Sequence, residues 1–292
     1  MHERPFHDRH GVEVFARVWP IEQPVGSVVI SHGASEHSGR YDRFARALND
    51  AGYAVYALDH RGHGQTAIAT GKGRMGPPGG EALVDDLDEL VDLAVADHGD
   101  VPVVLFGHSL GSLIALAYLT RHSERLAGSV LCGFPASLAD VPAIGEVFES
   151  VDDAMRDEPV DALGAFNEPF EPARTPFEWL SRDDAEVDRY LADPLCGDDV
   201  PLTYGFMADL FAIVAPAIQP TALAAITCPI FIISGDRDSS GAMGKNPELL
   251  DAALRNAGVT VECRLYPGAR HELLNETNRD DVTADVVAWI GR

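Results

Sequence analysis

Apolar positions along this chain recur at two spacings, and the switching between them predicts the layout of the fold. Over 11–19, Val12, Val14, Ala16 and Val18 alternate with other residues at the period of two expected of a strand. The stretches 27–31, 53–58, 103–106 and 129–132 are short and mostly apolar, as strands covered on both faces are. Over 80–96 the spacing changes. There Leu83, Leu87, Leu90 and Leu93 line one face of a helix, and the small-residue run 110–120 reads as another. Short apolar strands interleaved with helices predict a mostly parallel sheet flanked by helices.

The alternation stops between 134 and 220. Acids and prolines cluster there, as in Asp152-Asp153, Asp157-Glu158-Pro159 and 168–172, and no strand pattern is visible. It resumes with an apolar strand over 229–234, a helix over 246–257, a strand over 259–266 and a last helix over 280–289. The expected organisation is a core whose first part is 1–133 and whose second part is 221–292, with 134–220 inserted as a cap. No internal repeat, low-complexity tract or flexible linker interrupts this.

Composition narrows the function. A chain of 292 residues with 46% hydrophobic content can bury a sizeable core, but its formal net charge of -24 opposes nucleic acid and anionic lipid, since phosphate binding needs Lys and Arg to displace counterions. A neutral or small substrate is favoured. The cysteines, Cys132, Cys196, Cys228 and Cys263, lie far apart without a Cys-x-x-Cys pair or a histidine at metal-site spacing, so reduced structural thiols are expected. No window approaches 18 uninterrupted apolar residues and the amino terminus carries no apolar signal core, so the expected location is the cytoplasm.

The candidate chemistry sits in Gly107-His108-Ser109-Leu110-Gly111, between the strand over 103–106 and the helix behind it. A serine in Gly-x-Ser-x-Gly at a strand-to-helix turn stands clear of the sheet, and the flanking glycines allow a turn too tight for larger side chains. A serine hydroxyl is a weak nucleophile at neutral pH and needs a histidine base and a carboxylate to orient it. In the chain order Ser, acid, His, the candidates are Asp236, directly after the strand over 229–234, and His271, in the loop after the strand over 259–266. His32, His60, His63 and His108 precede the serine and break that order. Asp238, two residues beyond Asp236, is the other candidate acid, although a turn aspartate commonly bonds its own backbone.

An oxyanion hole needs two backbone N–H groups aimed at the developing charge. Leu110, after the nucleophile, is the first; Ala34, in the loop His32-Gly33-Ala34-Ser35 after an earlier strand, is the expected second. The run from His60 to Gly64 has neither the glycine register of a phosphate loop nor an acidic third metal ligand, and reads as a structural turn.

With these motifs in place, the chain resembles the monoacylglycerol lipase and lysophospholipase branch of the α/β-hydrolase superfamily, the serine aminopeptidase-like hydrolases, over nearly its whole length. The resemblance is carried by His32 to Tyr41, by the runs 59–64, 107–111 and 235–238, and by Tyr266 to Glu272; within the cap, 177–183 and 193–196 add to it. It implies an α/β-hydrolase fold with a helical cap inserted after the sixth core strand. It further implies Ser109 as nucleophile, Asp236 as acid, His271 as base, the amides of Ala34 and Leu110 as oxyanion donors, and no cofactor or metal. Glu36 and Arg40 are then either substrate-binding residues beside the alcohol-side pocket or an ion pair pinning their loop. Three positions depart from the branch: Ser35 and Ser112 replace glycines, and Leu274 stands where eukaryotic members place a second histidine that helps bind glycerol.

The expected activity is hydrolysis of a lipid monoester, a monoacylglycerol or lysophospholipid. The alternatives on the same triad are a small-ester or lactone esterase and an amidase or peptidase; outside catalysis, it is a non-catalytic binder of a hydrophobic ligand. The cap stretch 201–218 carries Leu202, Phe206, Met207, Leu210, Phe211 and Val214 at helical spacing, with Asp209 and Pro216 ruling out a membrane span. Its stripe either packs on the core or lines an acyl tunnel and makes transient contact with a lipid surface.

Overall fold

The computed structural model describes residues 1–161 and 163–292. Eight strands form one sheet in the order β1 (His2–Glu3), β4 (Ala16–Trp19), β6 (Tyr53–Leu58), β5 (Gly26–Ser31), β7 (Val103–His108), β8 (Gly128–Cys132), β9 (Ile230–Gly235) and β10 (Val261–Tyr266). From β6 to β10 every neighbouring pair is parallel, while β4 runs antiparallel to both β6 and β1. The strand expected over 11–19 divides at Phe15. Its first part, β3 (Glu13–Val14), pairs instead with β2 (Phe6–His7) in a separate hairpin. The cause is a change of partners: the Phe15 N–H donates to Thr66 Oγ1 at 2.9 Å and its carbonyl accepts from the Asp59 N–H at 2.8 Å.

Alternation along the strands sorts side chains onto two faces. Val29, Leu105, Leu131 and Ile232 join the helices α3 (Glu81–His98), α4 (Leu110–His122), α7 (Tyr204–Ala217) and α9 (Lys245–Asn256) in one core. Ile30, Phe106, Val130 and Ile233 point to the other face, against α1 (Asp42–Asp50) and α10 (Arg279–Ile290). In β5, β7, β8 and β9 the serines and the histidine sit at or next to strand ends, and the chemistry collects at the carboxyl ends. The turn from His60 to Gly64, which leaves β6 ahead of the short helix α2 (Ala67–Thr70), holds a structural cluster: buried Arg61 bonds Asp86 Oδ2 at 3.0 Å and also Asp8. Burial pushes the Asp86 carboxyl up to about 8 despite that cation.

Between β8 and β9 the described residues form α5 (Val141–Glu149), α6 (Asp184–Ala192), α7, α8 (Pro220–Leu223), 3-10 turns and loops, with a single bridge from Pro159 to Thr203. The apolar stripe of α7 packs inward: Phe206, Leu210, Phe211, Ile213 and Val214 are all part of the main core. A separate small core of Phe177, Trp179, Leu180, Val187, Tyr190 and Cys196 lies over the carboxyl end of the sheet. No described helix is long and apolar enough to cross a membrane.

Candidate active site

Ser109 follows β7 with φ 52 and ψ -119, a region non-glycine residues occupy only under constraint. The constraint is close packing of backbone. A Cβ added at Gly111 would lie 2.0 Å from the Ser31 carbonyl oxygen, and one at Gly107 would lie 2.5 Å from that of Gly111. Strand β7, helix α4 and the end of β5 thus meet with only hydrogen between them, and the turn lifts Ser109 above the sheet. Its N–H donates to the Cys132 carbonyl at 2.9 Å, tying the elbow to β8.

Across from it lies His271, fully buried in the loop after β10. Its Nδ1 is 3.0 Å from Asp238 Oδ2, while its Nε2 is buried with no hydrogen-bond partner among the described residues. Ser109 and His271 line one tight cavity with Gly33, Ala34, His108, Leu163 and Trp179; at ≈ 10 Å³ it holds about one water molecule. Burial opposes charge on His271, but the Asp238 carboxylate beside it outweighs this and raises the imidazole above its usual value. Asp238 in turn is held below the carboxylate range, because the His271 contact and bonds from Ser240 and Gly241 overcome its own burial.

The expected acid, Asp236, is not brought to His271, and here the structure corrects the sequence. Asp236 still runs with the sheet: its N–H donates to the Tyr266 carbonyl at 3.2 Å, and its Oδ1 accepts from the Gly268 N–H at 2.7 Å. The chain turns only afterwards, with the Asp238 N–H bonding the Gly235 carbonyl, and that turn swings Asp238 beneath the imidazole. Asp238 also makes the local bonds typical of a turn, its Oδ1 accepting from the N–H groups of Ser240 and Gly241 at 3.0 and 3.2 Å. One oxygen organises the turn and the other meets His271. The donor-rich run Ser239-Ser240-Gly241 was the available signal; it marked Asp238 as a carboxylate with enough local donors to stay ionised when buried.

The loop after β5 places its backbone beside the serine. A Cβ at Gly33 would lie 2.8 Å from Glu36 Oε1 and 3.3 Å from Ser109 Cβ, so a larger residue would force Glu36 or the loop to shift. The Gly33 N–H is taken by Glu36 Oε1 at 2.6 Å, whereas among the described residues no acceptor in the chain takes the N–H of Ala34 or Leu110. Glu36 also accepts from the Tyr41 hydroxyl at 2.8 Å and from Arg40 Nη1 at 2.7 Å. Arg40 is shared with Glu272 at 2.5 and 2.8 Å and stacks over the Tyr190 ring. Both carboxylate oxygens of Glu36 and both Nη groups of Arg40 are thus engaged inside the chain, as in an ion pair pinning the loop, while the two residues also line an open pocket with Arg43, Glu272 and Asn275.

The segment between β8 and β9 supplies side chains that sequence reasoning left without a role. Trp179 faces His271 at 4.9 Å between ring centroids, and the carbonyls of Trp179 and Leu180 accept from the N–H groups of His271 and Glu272. Buried Glu276 binds the Arg270 N–H at 2.8 Å and Arg182 Nε at 2.8 Å, strapping the histidine loop to that segment. His108, beside the serine, has both ring nitrogens buried with no hydrogen-bond partner among the described residues; burial pushes it down to about 4 and keeps it neutral.

An eight-stranded, mostly parallel sheet with a strained serine elbow at its carboxyl edge and a buried Asp–His pair opposite defines an α/β-hydrolase. More narrowly, the chain belongs to the serine aminopeptidase S33 family of hydrolases, whose profile matches residues 22–278. It is 33% identical to a monoacylglycerol lipase of Mycolicibacterium smegmatis, over 99% of this chain and 96% of that one. It is 30% identical to the monoglyceride lipase of Mus musculus over 96% of this chain and 87% of that one. Among solved structures it is similar to a thermostable carboxyl esterase from Bacillus coagulans in complex with glycerol, at a TM-score of 0.92 and 29% identity, covering 99% of this chain and 97% of that one.

Proposed function

We propose that this protein hydrolyses the carboxylic ester of a lipid monoester, a monoacylglycerol or lysophospholipid, through an acyl-enzyme on Ser109. His271 Nε2 takes the serine proton as Oγ attacks the ester carbonyl, and later activates water; Asp238 holds the Nδ1 tautomer and stabilises the imidazolium. The oxyanion of the tetrahedral intermediate is received by the N–H groups of Ala34 and Leu110. Glu36 and Arg40 act by fixing the loop that carries Ala34. The observation that carries this reading is the buried His271 ring, with one nitrogen bonded to Asp238 and the other without a partner among the described residues, in the cavity it shares with Ser109.

The lipid substrate is supported by the relatives and by an apolar groove. With residues 134–220 as a cap, a cavity of ≈ 490 Å³ lined by Leu163, Val160, Pro176, Phe177 and Leu202 abuts the serine cavity through Leu163, which lines both. An acyl chain fits along this wall, which is mostly apolar but also includes Asp161 and Asp198. The four cysteines are free thiols, which supports a reducing, cytoplasmic setting. The outward side chains of α5, Ile144 and Val147, supply an apolar edge for passing contact with a lipid surface.

Labelling with a fluorophosphonate probe tests the nucleophile: wild type labels and Ser109→Ala does not. A chain-length series of nitrophenyl esters, with a panel of monoacylglycerols and lysophospholipids beside an aminoacyl anilide, tests the substrate. No gain beyond four-carbon acyl chains removes the lipid assignment, and cleavage of the anilide alone replaces it with a peptidase.

A further inference from the structure

The turn that swings Asp238 under His271 also brings in Ser240. Its hydroxyl oxygen lies 2.8 Å from His271 Nδ1 and 2.8 Å from Asp238 Oδ1, and the side chain is buried. Counting protons fixes the directions. An ionised Asp238 can only accept, so the Ser240 hydroxyl donates to Oδ1, and its lone pairs then face the ring. The Nδ1–H of His271 is shared between Ser240 Oγ and Asp238 Oδ2. Ser240 is itself held in place: its N–H donates to Asp238 Oδ1 at 3.0 Å, and Asn246 Nδ2 reaches its carbonyl at 3.4 Å and that of Pro135 at 3.1 Å.

We propose that Ser240 is a positioning residue for His271, its hydroxyl holding the imidazole toward Asp238 and stabilising the imidazolium that forms when Ser109 gives up its proton. The inference rests on the assignment of Ser109, His271 and Asp238 made above. A hydroxyl whose hydrogen is committed to a carboxylate presents its negative end to the ring, so it favours the ring's charged form. It also adds a second acceptor on a proton that Asp238 meets with one oxygen, which restricts rotation of the imidazole.

The other charged or titratable groups around the ring do not duplicate this. His108 packs against it at 4.8 Å between centroids and is neutral. Glu36 and Glu272 are both tied to Arg40, and the Trp179 ring and Gly133 that also pack against the imidazole carry no charge. Removing the Ser240 hydroxyl therefore acts on His271 through Nδ1 and leaves those groups in place.

The test compares wild type with Ser240→Ala, Ser240→Thr and Ser240→Val, reading kcat, KM and the pH profile of kcat/KM on one nitrophenyl ester, together with the pH dependence of fluorophosphonate labelling. Loss of the hydroxyl in the Ala variant is expected to lower kcat roughly tenfold with KM unchanged, the worth of one hydrogen bond. The acid limb is expected to move to lower pH by about half a unit, since the imidazolium loses an acceptor. Thr, which keeps the hydroxyl, restores both; Val, of the same shape, behaves as Ala. A wild-type kcat and acid limb in the Ala variant overturns the inference, as does a fall in kcat with an unmoved acid limb, or equal impairment of the Thr and Val variants. Wild type that neither turns over nor labels defeats the triad assignment itself, whereas active wild type with an indifferent Ala variant defeats only the part given to Ser240.

Discussion

Ser109 and His271 face one cavity, but they are placed there by different means. The serine side is set by backbone sterics: Gly107 and Gly111 let β5, β7 and α4 close to within contact, and the elbow has nowhere else to go. The histidine side is set by side chains and by a strap to the segment between β8 and β9, through Asp238, Ser240, Glu276 and the carbonyls of Trp179 and Leu180. A site made in this way has one rigid half and one half whose geometry depends on polar bonds that single substitutions can remove.

The largest effect that could break this comparison lies in the acid. Asp238→Asn is expected to lower kcat by about 10⁴-fold with the fold intact, because the amide favours the wrong imidazole tautomer; Asp236→Asn is expected to cost no more than a few-fold, measured on the same ester. If the two changed places in effect, the geometry drawn here for the histidine side is wrong. Next comes the rigid half. Gly111→Ala must push a methyl into the Ser31 carbonyl at 2.0 Å, and denaturant unfolding should show a loss of about 3 kcal/mol or more, or no folded protein.

On the strap, Glu276→Gln replaces one acceptor oxygen by a donor facing N–H groups of Arg270, Arg182 and Thr277. A loss of about 1–3 kcal/mol and a fall in kcat of roughly tenfold are expected, against an unchanged labelling stoichiometry in the folded fraction. The smallest effect is in pH. As the proposed base His271 must be neutral to act, and its raised value places the expected loss of kcat/KM, as pH falls, above the unperturbed value of about 6.5. For stability the sign is opposite: the His271⁺–Asp238 pair contributes fully below about pH 6.5 and is lost as pH rises through the folded value. A profile flat to pH 5 would mean that the ring does not work as the base.

Much of the rigid half was legible before any coordinates. The apolar runs, the elbow and its glycines, the parallel sheet and the His-Gly loop are local patterns, readable because sterics act between near neighbours in sequence. The strand over 11–19 was harder, since its division at Phe15 depends on Thr66 and Asp59, far along the chain. The aspartate that meets His271 was misplaced for a related reason. Proximity to the strand end favoured Asp236, yet the strand's ladder continues through it, and only the turn beyond decides which carboxylate is carried inward.

The helices between β8 and β9 were seen only in part. The stripe on α7 was visible, but α5 and α6 have short and interrupted patterns that acquire meaning only in contact: α5 packs on α7, with Phe148 stacked on Phe211, and α6 brings Tyr190 into the small core with Trp179. Arg61 showed the reverse: a motif that invites a ligand reading turns out to be closed by Asp8 and Asp86. By itself, then, the order of residues determined the sheet, the elbow and the two residue types that must meet across it, because those rest on periodicity and backbone sterics. Which aspartate meets His271, what Glu36 and Arg40 hold, and how the strap and Ser240 grip the ring were decided only in three dimensions, since hydrogen bonds between distant segments leave no periodic trace in a single chain.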